Sequence, residues 1–215
     1  MKRTSIRVVL GLLVACLLVG GPMAYSWHRH SEFRNFRVVE QGKVYRSGQM
    51  SAEALQRFIK EYQIRTVLSL RYPETPGGLP KDWQEEEFCI NNGIRYERIR
   101  PQSYQMDFEK FEIPANKPIA EFLKLMDDPS VYPVLIHCYA GKHRTGAFCS
   151  IYRMEYQRWS NQDAMTEQKA AGYVTLEDEK DIFAYMTMYQ PRWKRSANPP
   201  AAPLVVPGDA GTMKD

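Results

Sequence analysis

A thiol, a turn-forming glycine and an arginine stand close together in His137-Cys138-Tyr139-Ala140-Gly141-Lys142-His143-Arg144-Thr145-Gly146. Ionised cysteine is a strong nucleophile, and N–H donors and cations around it lower its pKa. Gly141 permits a positive φ, which turns successive backbone N–H groups toward one centre as an anion nest. Arg144 can fork two donors onto two oxygens of one phosphate, a geometry lysine cannot copy. Thr145 can donate its hydroxyl to the thiolate. The chemistry predicted is covalent and has two steps. Cys138 attacks phosphorus in line while the nest and Arg144 stabilise charge on the equatorial oxygens, and water then hydrolyses the phosphocysteine. The catalytic residues are thus Cys138, Arg144 and Thr145, and the phosphate lies against Tyr139, Ala140, Gly141, Lys142, His143 and Arg144.

Two elements must hold this loop. Before it, residues 131–136 form a short apolar, β-branched run, the pattern of a central strand covered on both faces. After it, residues 146–156 carry apolar side chains at helical spacing with no proline. The loop therefore sits between a strand end and a helix start, where unpaired N–H groups and the positive end of the dipole favour an anion.

The string His-Cys-x5-Arg-Thr-Gly resembles the signature of the cysteine-dependent protein tyrosine and dual-specificity phosphatases. Its fuller form resembles members acting on inositol phosphates and phosphoinositides, and also the atypical plant and fungal dual-specificity phosphatases. Tyr45-Arg46-Ser47-Gly48-Gln49 resembles a segment near the start of the bacterial and atypical eukaryotic members; by itself it reads as a strand end with a structural arginine. The resemblance spans about residues 33–189. It implies a central, mostly parallel α/β sheet flanked by helices, of the phosphotyrosine protein phosphatase type. It also implies a general acid on a loop about thirty residues before the nucleophile, where classical members carry Trp-Pro-Asp. This chain has no such tripeptide. In the equivalent loop, residues 100–113, the acids are Asp107, Glu109 and Glu112, and Asp107 has the best-matching separation.

Lys142 and His143 add positive charge beside Arg144, which either favours substrates with several phosphates or belongs to ordinary exposed residues at a helix start, with Lys142 only steering anions. Candidate substrates are phosphorylated proteins, inositol phosphates and phosphoinositides. A different class of reading is a phosphatase-like module that only binds phosphorylated partners; the intact Cys138 and Arg144 speak against it.

The rest of the chain alternates strand and helix. Residues 36–39 and 43–46 alternate around Gln41-Gly42 as a hairpin would. Leu55, Phe58, Ile59 and Tyr62 give an amphipathic helix over 51–61 with Ser51 as its N-cap. Residues 66–70 read as a buried strand, and 71–81, rich in proline and glycine, as a loop. Asp82-x-x-Glu85 resembles a capping box opening a helix that Gly93 closes, with a strand over 94–99. Further helices are expected from Pro114 to before Asp128, from Ser160 or Asn161 to Ala171, and from Glu177 to Tyr189. Such alternation predicts an α/β sheet with its site at the carboxyl ends of the strands.

At 215 residues and a net charge of +4, the chain fits one α/β domain with extensions, expected over 33–190. The charge is too mild and scattered to argue for nucleic acid. The four cysteines, Cys16, Cys89, Cys138 and Cys149, show no paired metal-ligand spacing, so no metal or other cofactor is expected. Cys89 and Cys149 are expected to be buried. In residues 1–32, Lys2, Arg3 and Arg7 precede an apolar run from Val8 to Gly21, which reads as a signal peptide or a single-span membrane anchor of undetermined orientation. Residues 191–215, rich in Pro, Ala and Gly from Ser196 on, are expected to be a disordered tail.

Overall fold

The computed structural model describes residues 33–73, 75 and 77–197, with positions 14, 16 and 18–22 near the N-terminus. In chain order its elements are β1 (Arg37–Glu40), β2 (Val44–Gly48), α1 (Ala52–Tyr62), β3 (Thr66–Ser69), α2 (Trp83–Asn91) and β4 (Arg95–Arg98). They continue with α3 (Asn116–Met126), β5 (Val134–Cys138), α4 (His143–Tyr156), α5 (Asn161–Ala170), α6 (Lys180–Met188) and α7 (Arg192–Ala197). The strands form one sheet in the order β1-β2-β5-β3-β4. Only β1 runs antiparallel, paired with β2; β2, β5, β3 and β4 are parallel to one another.

β5 lies at the centre and is buried along its whole length. Its side chains alternate between two apolar clusters: Val134, Ile136 and Cys138 in one, Leu135 in the other, as the two-residue period of a doubly covered strand requires. On the Leu135 side, Phe58 of α1 packs edge-on to Tyr45 and stacks on Tyr62. On the other side lie Phe122 of α3 and Phe148 of α4, with ring centroids 5.1 Å apart. Burying each such ring stabilises the fold by roughly 1.5–3 kcal/mol, which fixes the register of β5 and so the height of its last residue, Cys138.

Ser51 caps α1 as expected, its Oγ accepting from the Ala54 N–H at 3.2 Å, and Ser160 caps α5 in the same way. β5 starts later than the apolar run, because Pro129–Val131 form a 3-10 turn and Pro133 has no N–H to give a ladder. It also runs further, through His137 and Cys138. The expected tail boundary at 191 is corrected: α7 docks on the domain, with Arg192 paired to Glu155 and Asp127 and the Trp193 indole donating to the Met154 carbonyl. Residues 198–215 and most of 1–32 lie outside the described residues. Among the described residues, no helix is long and apolar enough to cross a membrane.

Candidate active site

Cys138 closes β5, and after four intervening residues the chain enters α4 at His143. Between them Gly141 has φ +69°, and a Cβ there would sit 2.3 Å from the Gly48 nitrogen, so only glycine fits. The loop's carbonyls are held outward. Arg46, buried in β2, donates to the Gly141 oxygen at 2.8 Å, and the Asn35 amide donates to it at 2.9 Å. The Tyr139 oxygen accepts from the Gln49 N–H at 3.1 Å. With these carbonyls engaged, the Gly141 N–H turns to the Cys138 sulfur, and the first N–H groups of a helix such as α4 lack intrahelical partners. The arginine of Tyr45-Arg46-Ser47-Gly48-Gln49 is thus structural, as read from sequence, but what it supports is the catalytic loop.

Cys138 is buried, and burial works against its ionisation. The Thr145 hydroxyl and N–H, the Gly141 N–H at 3.3 Å and the charge of His137 outweigh burial and hold the thiol below its ordinary value. Thr145 is fully buried and its hydroxyl makes no hydrogen bond within bonding geometry among the described residues, which leaves it to act on the sulfur. Cys89 and Cys149 show the opposite: burial, aided at Cys89 by the Glu85 and Glu86 carboxylates, pushes their thiols up to about 12 and about 11. All are free thiols, and only Cys138 of these three is prepared to react.

Sequence reasoning missed what lies under the loop. Asp82 is not the side-chain cap of α2 that its position suggested: no helix N–H reaches its carboxylate. Its oxygens instead accept from Ser69 Oγ at 2.5 Å, from the Tyr96 hydroxyl at 2.9 Å and from Arg98 at 2.8 Å, and these donors, outweighing burial, hold its carboxyl below the usual range. Arg98 also bridges to Glu86. Glu85, one helical turn on, lies with Oε1 2.6 Å from His137 Nε2, though the ring is not aligned for a linear hydrogen bond. Burial opposes protonation of His137, but the Glu85 carboxylate prevails and raises its pKa. Asp82, Glu85 and His137 are of metal-ligand type and within 4.8 Å of one another. A cation there would face the Arg98 guanidinium already on Asp82, so the cluster serves charge balance.

A prediction follows from this pair. Glu85→Gln keeps shape and removes the charge, so burial then drives the His137 proton off and Cys138 loses a favourable neighbour. A group whose folded pKa is depressed stays ionised above that pKa. Raising it must therefore move the thiolate limb to higher pH, seen as a shift in the pH profile of iodoacetamide alkylation and in the acidic limb of kcat/KM. An unshifted profile would remove Glu85 from this role.

Arg144 is exposed, its guanidinium 5.1 Å over the Tyr72 ring and 3.4 Å from the Leu70 carbonyl. Tyr72 and Arg144 stand between two cavities. The larger, about 700 Å³, is lined also by Arg100, Tyr104, His143, Tyr173, Glu179 and Asp181. His143 stacks on Tyr173 at 4.3 Å, and Tyr173 donates to Glu179. Lys142, grouped with His143 by sequence, runs its stem along Gly172 and lines neither cavity. Asp107 is tied into a hairpin: its N–H bonds the Glu112 carbonyl at 2.8 Å, and its Oδ1 accepts from the N–H groups of Glu109 and Lys110. The carboxylates lining the larger cavity are Glu179 and Asp181. No spacing rule links Asn35, Tyr72, Glu85 or Asp181 to Cys138, because each arrives from a different segment.

A model of the tyrosine phosphatase family matches residues 32–198. The inositol diphosphatase DSP1 of Oryza sativa subsp. japonica is 37% identical over 128 residues, covering 58% of this chain and 51% of the relative, so the match spans about half of that protein's length. The inositol diphosphatase DSP4 of Arabidopsis thaliana is 30% identical over 155 residues, covering 68% of this chain and 69% of the relative. Among solved structures, the core catalytic domain of the PP-IP phosphatase SIW14 from S. cerevisiae superposes with TM-score 0.58 at 23% identity, over 76% of this chain and 90% of that one. P. aeruginosa TpbA does so with TM-score 0.57 at 22% identity, over 76% and 89%. Both share the fold described above.

Proposed function

Because this chain belongs to the tyrosine phosphatase family, we propose that it releases phosphate from its substrates through a phosphocysteine on Cys138. The observation that supports this reading is the loop itself: the Gly141 carbonyl fastened by Arg46 and Asn35, the Gly141 N–H turned to the Cys138 sulfur, and a thiol held below its ordinary pKa. Arg144 clamps the equatorial oxygens, and Thr145 donates to the sulfur and favours its departure as a thiolate when water attacks. A module that only binds phosphate has no use for the lowered thiol.

The substrate class we favour is an inositol phosphate carrying several phosphates, with phosphoproteins second. Arg100, His143 and Arg144 converge on one cavity, and relatives of this chain are named inositol diphosphatases. The test is phosphate release from inositol pyrophosphates, phosphoinositides and phosphotyrosine peptides. No turnover of any of them, nor of an aryl phosphate, over a broad pH range would sink the reading. Export or membrane tethering through residues 1–32 rests on their basic start and apolar run, and cell fractionation checks it: a wholly soluble, cytoplasmic full-length chain overturns it.

For the leaving group's proton, Asp107 is the donor proposed from its place in the chain. Its carboxylate serves only when the hairpin releases it. Asp181 competes: it lines the larger cavity and makes no hydrogen bond or ion pair with the described residues. Losing a general acid costs about 10²-fold or more when the leaving group is poor. Asp107→Asn should therefore slow alkyl phosphate hydrolysis by about that factor and aryl phosphate hydrolysis far less. Selective loss in Asp181→Asn instead would transfer the role, and near-wild-type rates in both variants would remove both residues.

A further inference from the structure

We propose that the smaller cavity beside the catalytic loop, lined by Arg71, Tyr72, Lys81, Tyr139 and Arg144, binds a second phosphate group of the substrate whose first phosphate sits over Cys138. The proposal rests on the phosphatase reading above and names what lies next to the bond that breaks.

The two cavities differ in charge. The larger mixes Arg100, His143 and Arg144 with Glu179 and Asp181. Among the described residues the smaller, about 480 Å³, is lined by Arg71, Lys81, Arg144 and two tyrosines, with no carboxylate. One phosphate monoester carries at most two negative charges, and the loop N–H groups with Arg144 already answer them. A second guanidinium on the same rim, that of Arg71, repels Arg144 unless an anion lies between them.

Arg71 is built into place. Its N–H donates to Ser69 Oγ at 3.1 Å and its carbonyl accepts from Arg98 at 2.9 Å, both members of the buried network around Asp82. Its guanidinium donates to the neutral Gln49 side chain, and it has no carboxylate partner among the described residues. A guanidinium fixed in position but not neutralised is the form an anion subsite takes. Tyr139 completes it. Its exposed ring lies 4.2 Å from the Arg34 guanidinium and 5.4 Å from that of Arg71. Arg34 first, then Arg71 and Lys81, hold the phenol below its ordinary pKa, which makes its hydroxyl a better donor to phosphate oxygen.

Arg144 and Tyr72 belong to both cavities, so an anion in the smaller one shares a wall with the reacting phosphate. This suits phosphates on neighbouring carbons of a ring, or two joined as a diphosphate. A soluble inositol polyphosphate and a phosphoinositide headgroup present the same chemistry.

The experiment is competition against aryl phosphate hydrolysis by the full chain. Wild type and Arg71→Gln are compared with three inhibitors: inorganic phosphate, soluble inositol hexakisphosphate, and vesicles of phosphatidylcholine containing a phosphatidylinositol bisphosphate. Removing one charge-assisted contact should weaken inositol hexakisphosphate or the vesicles about tenfold and inorganic phosphate much less; whichever polyphosphate responds identifies the source. Lys81→Gln gives a second, independent variant should Arg71→Gln fold poorly. Equal weakening of inorganic phosphate and both polyphosphates, or weakening of none, overturns the subsite. A wild-type chain that does not hydrolyse the aryl phosphate overturns the phosphatase reading instead.

Discussion

Serine in place of Cys138 abolishes phosphate release while phosphate still binds. The expected loss is on the order of 10⁴- to 10⁶-fold, the range found when a nucleophile is removed from a site whose other parts act as a unit with it. The reason lies in the pKa. The donors from Thr145 and Gly141 hold the thiol below its ordinary value, but a hydroxyl starts so far above neutrality that the same donors leave it protonated. The nest, held by Arg46 and Asn35 from outside, does not depend on the sulfur and keeps its affinity for anions. Single-turnover assays with radiolabelled substrate and acid quench should trap phosphate on the wild-type protein and none on Cys138→Ser. Comparable release by the variant would place the nucleophile elsewhere.

Lysine in place of Arg144 is the second large effect, about 10³-fold in kcat/KM for an aryl phosphate. Charge is conserved, so simple attraction predicts little change. Geometry predicts much, since a guanidinium donates two parallel hydrogen bonds to two equatorial oxygens and an ammonium acts as a point charge. In this structure Arg144 lies over Tyr72, with only a 3.4 Å contact to the Leu70 carbonyl, so its donors are available to substrate. The fall should appear mainly in kcat, because the two bonds strengthen as charge spreads over the oxygens in the transition state. Activity within a few-fold of wild type would mean that attraction alone suffices, and the clamp would be discarded.

Much of this was legible one residue at a time. Gly141 was read as a left-handed turn and has φ +69°. Cys149 was read as buried rather than reactive, and burial raises its thiol. Ser51 and Ser160 were legible as caps because capping involves neighbours in the chain. Asp82 misled for the same reason. It has the letter and position of a cap, yet a half-buried guanidinium from β4 competes for its buried carboxylate, and this charge-assisted contact prevails over a helix N–H. α7 was missed because an Arg-Trp-Lys-Arg stretch has little apolar surface of its own; its anchors are Glu155 and Asp127, many residues earlier.

By itself the sequence pointed to Cys138 as nucleophile and Arg144 as clamp, and determined the turn at Gly141 and the α/β order of the elements. Each of these is local: it depends on residue types at short spacing, and a strand followed by a glycine turn and a helix brings its groups together wherever it lies. Only the tertiary structure decided which distant side chains act on that loop. Arg46 and Asn35 fasten the Gly141 carbonyl, Glu85 lies against His137, and Arg71 and Lys81 line a cavity together with Arg144 while Lys142 lies along Gly172. Parallel strand pairing is the cause. It sets the carboxyl ends of β2, β3 and β5 side by side, so residues far apart in the chain meet at one edge of the sheet.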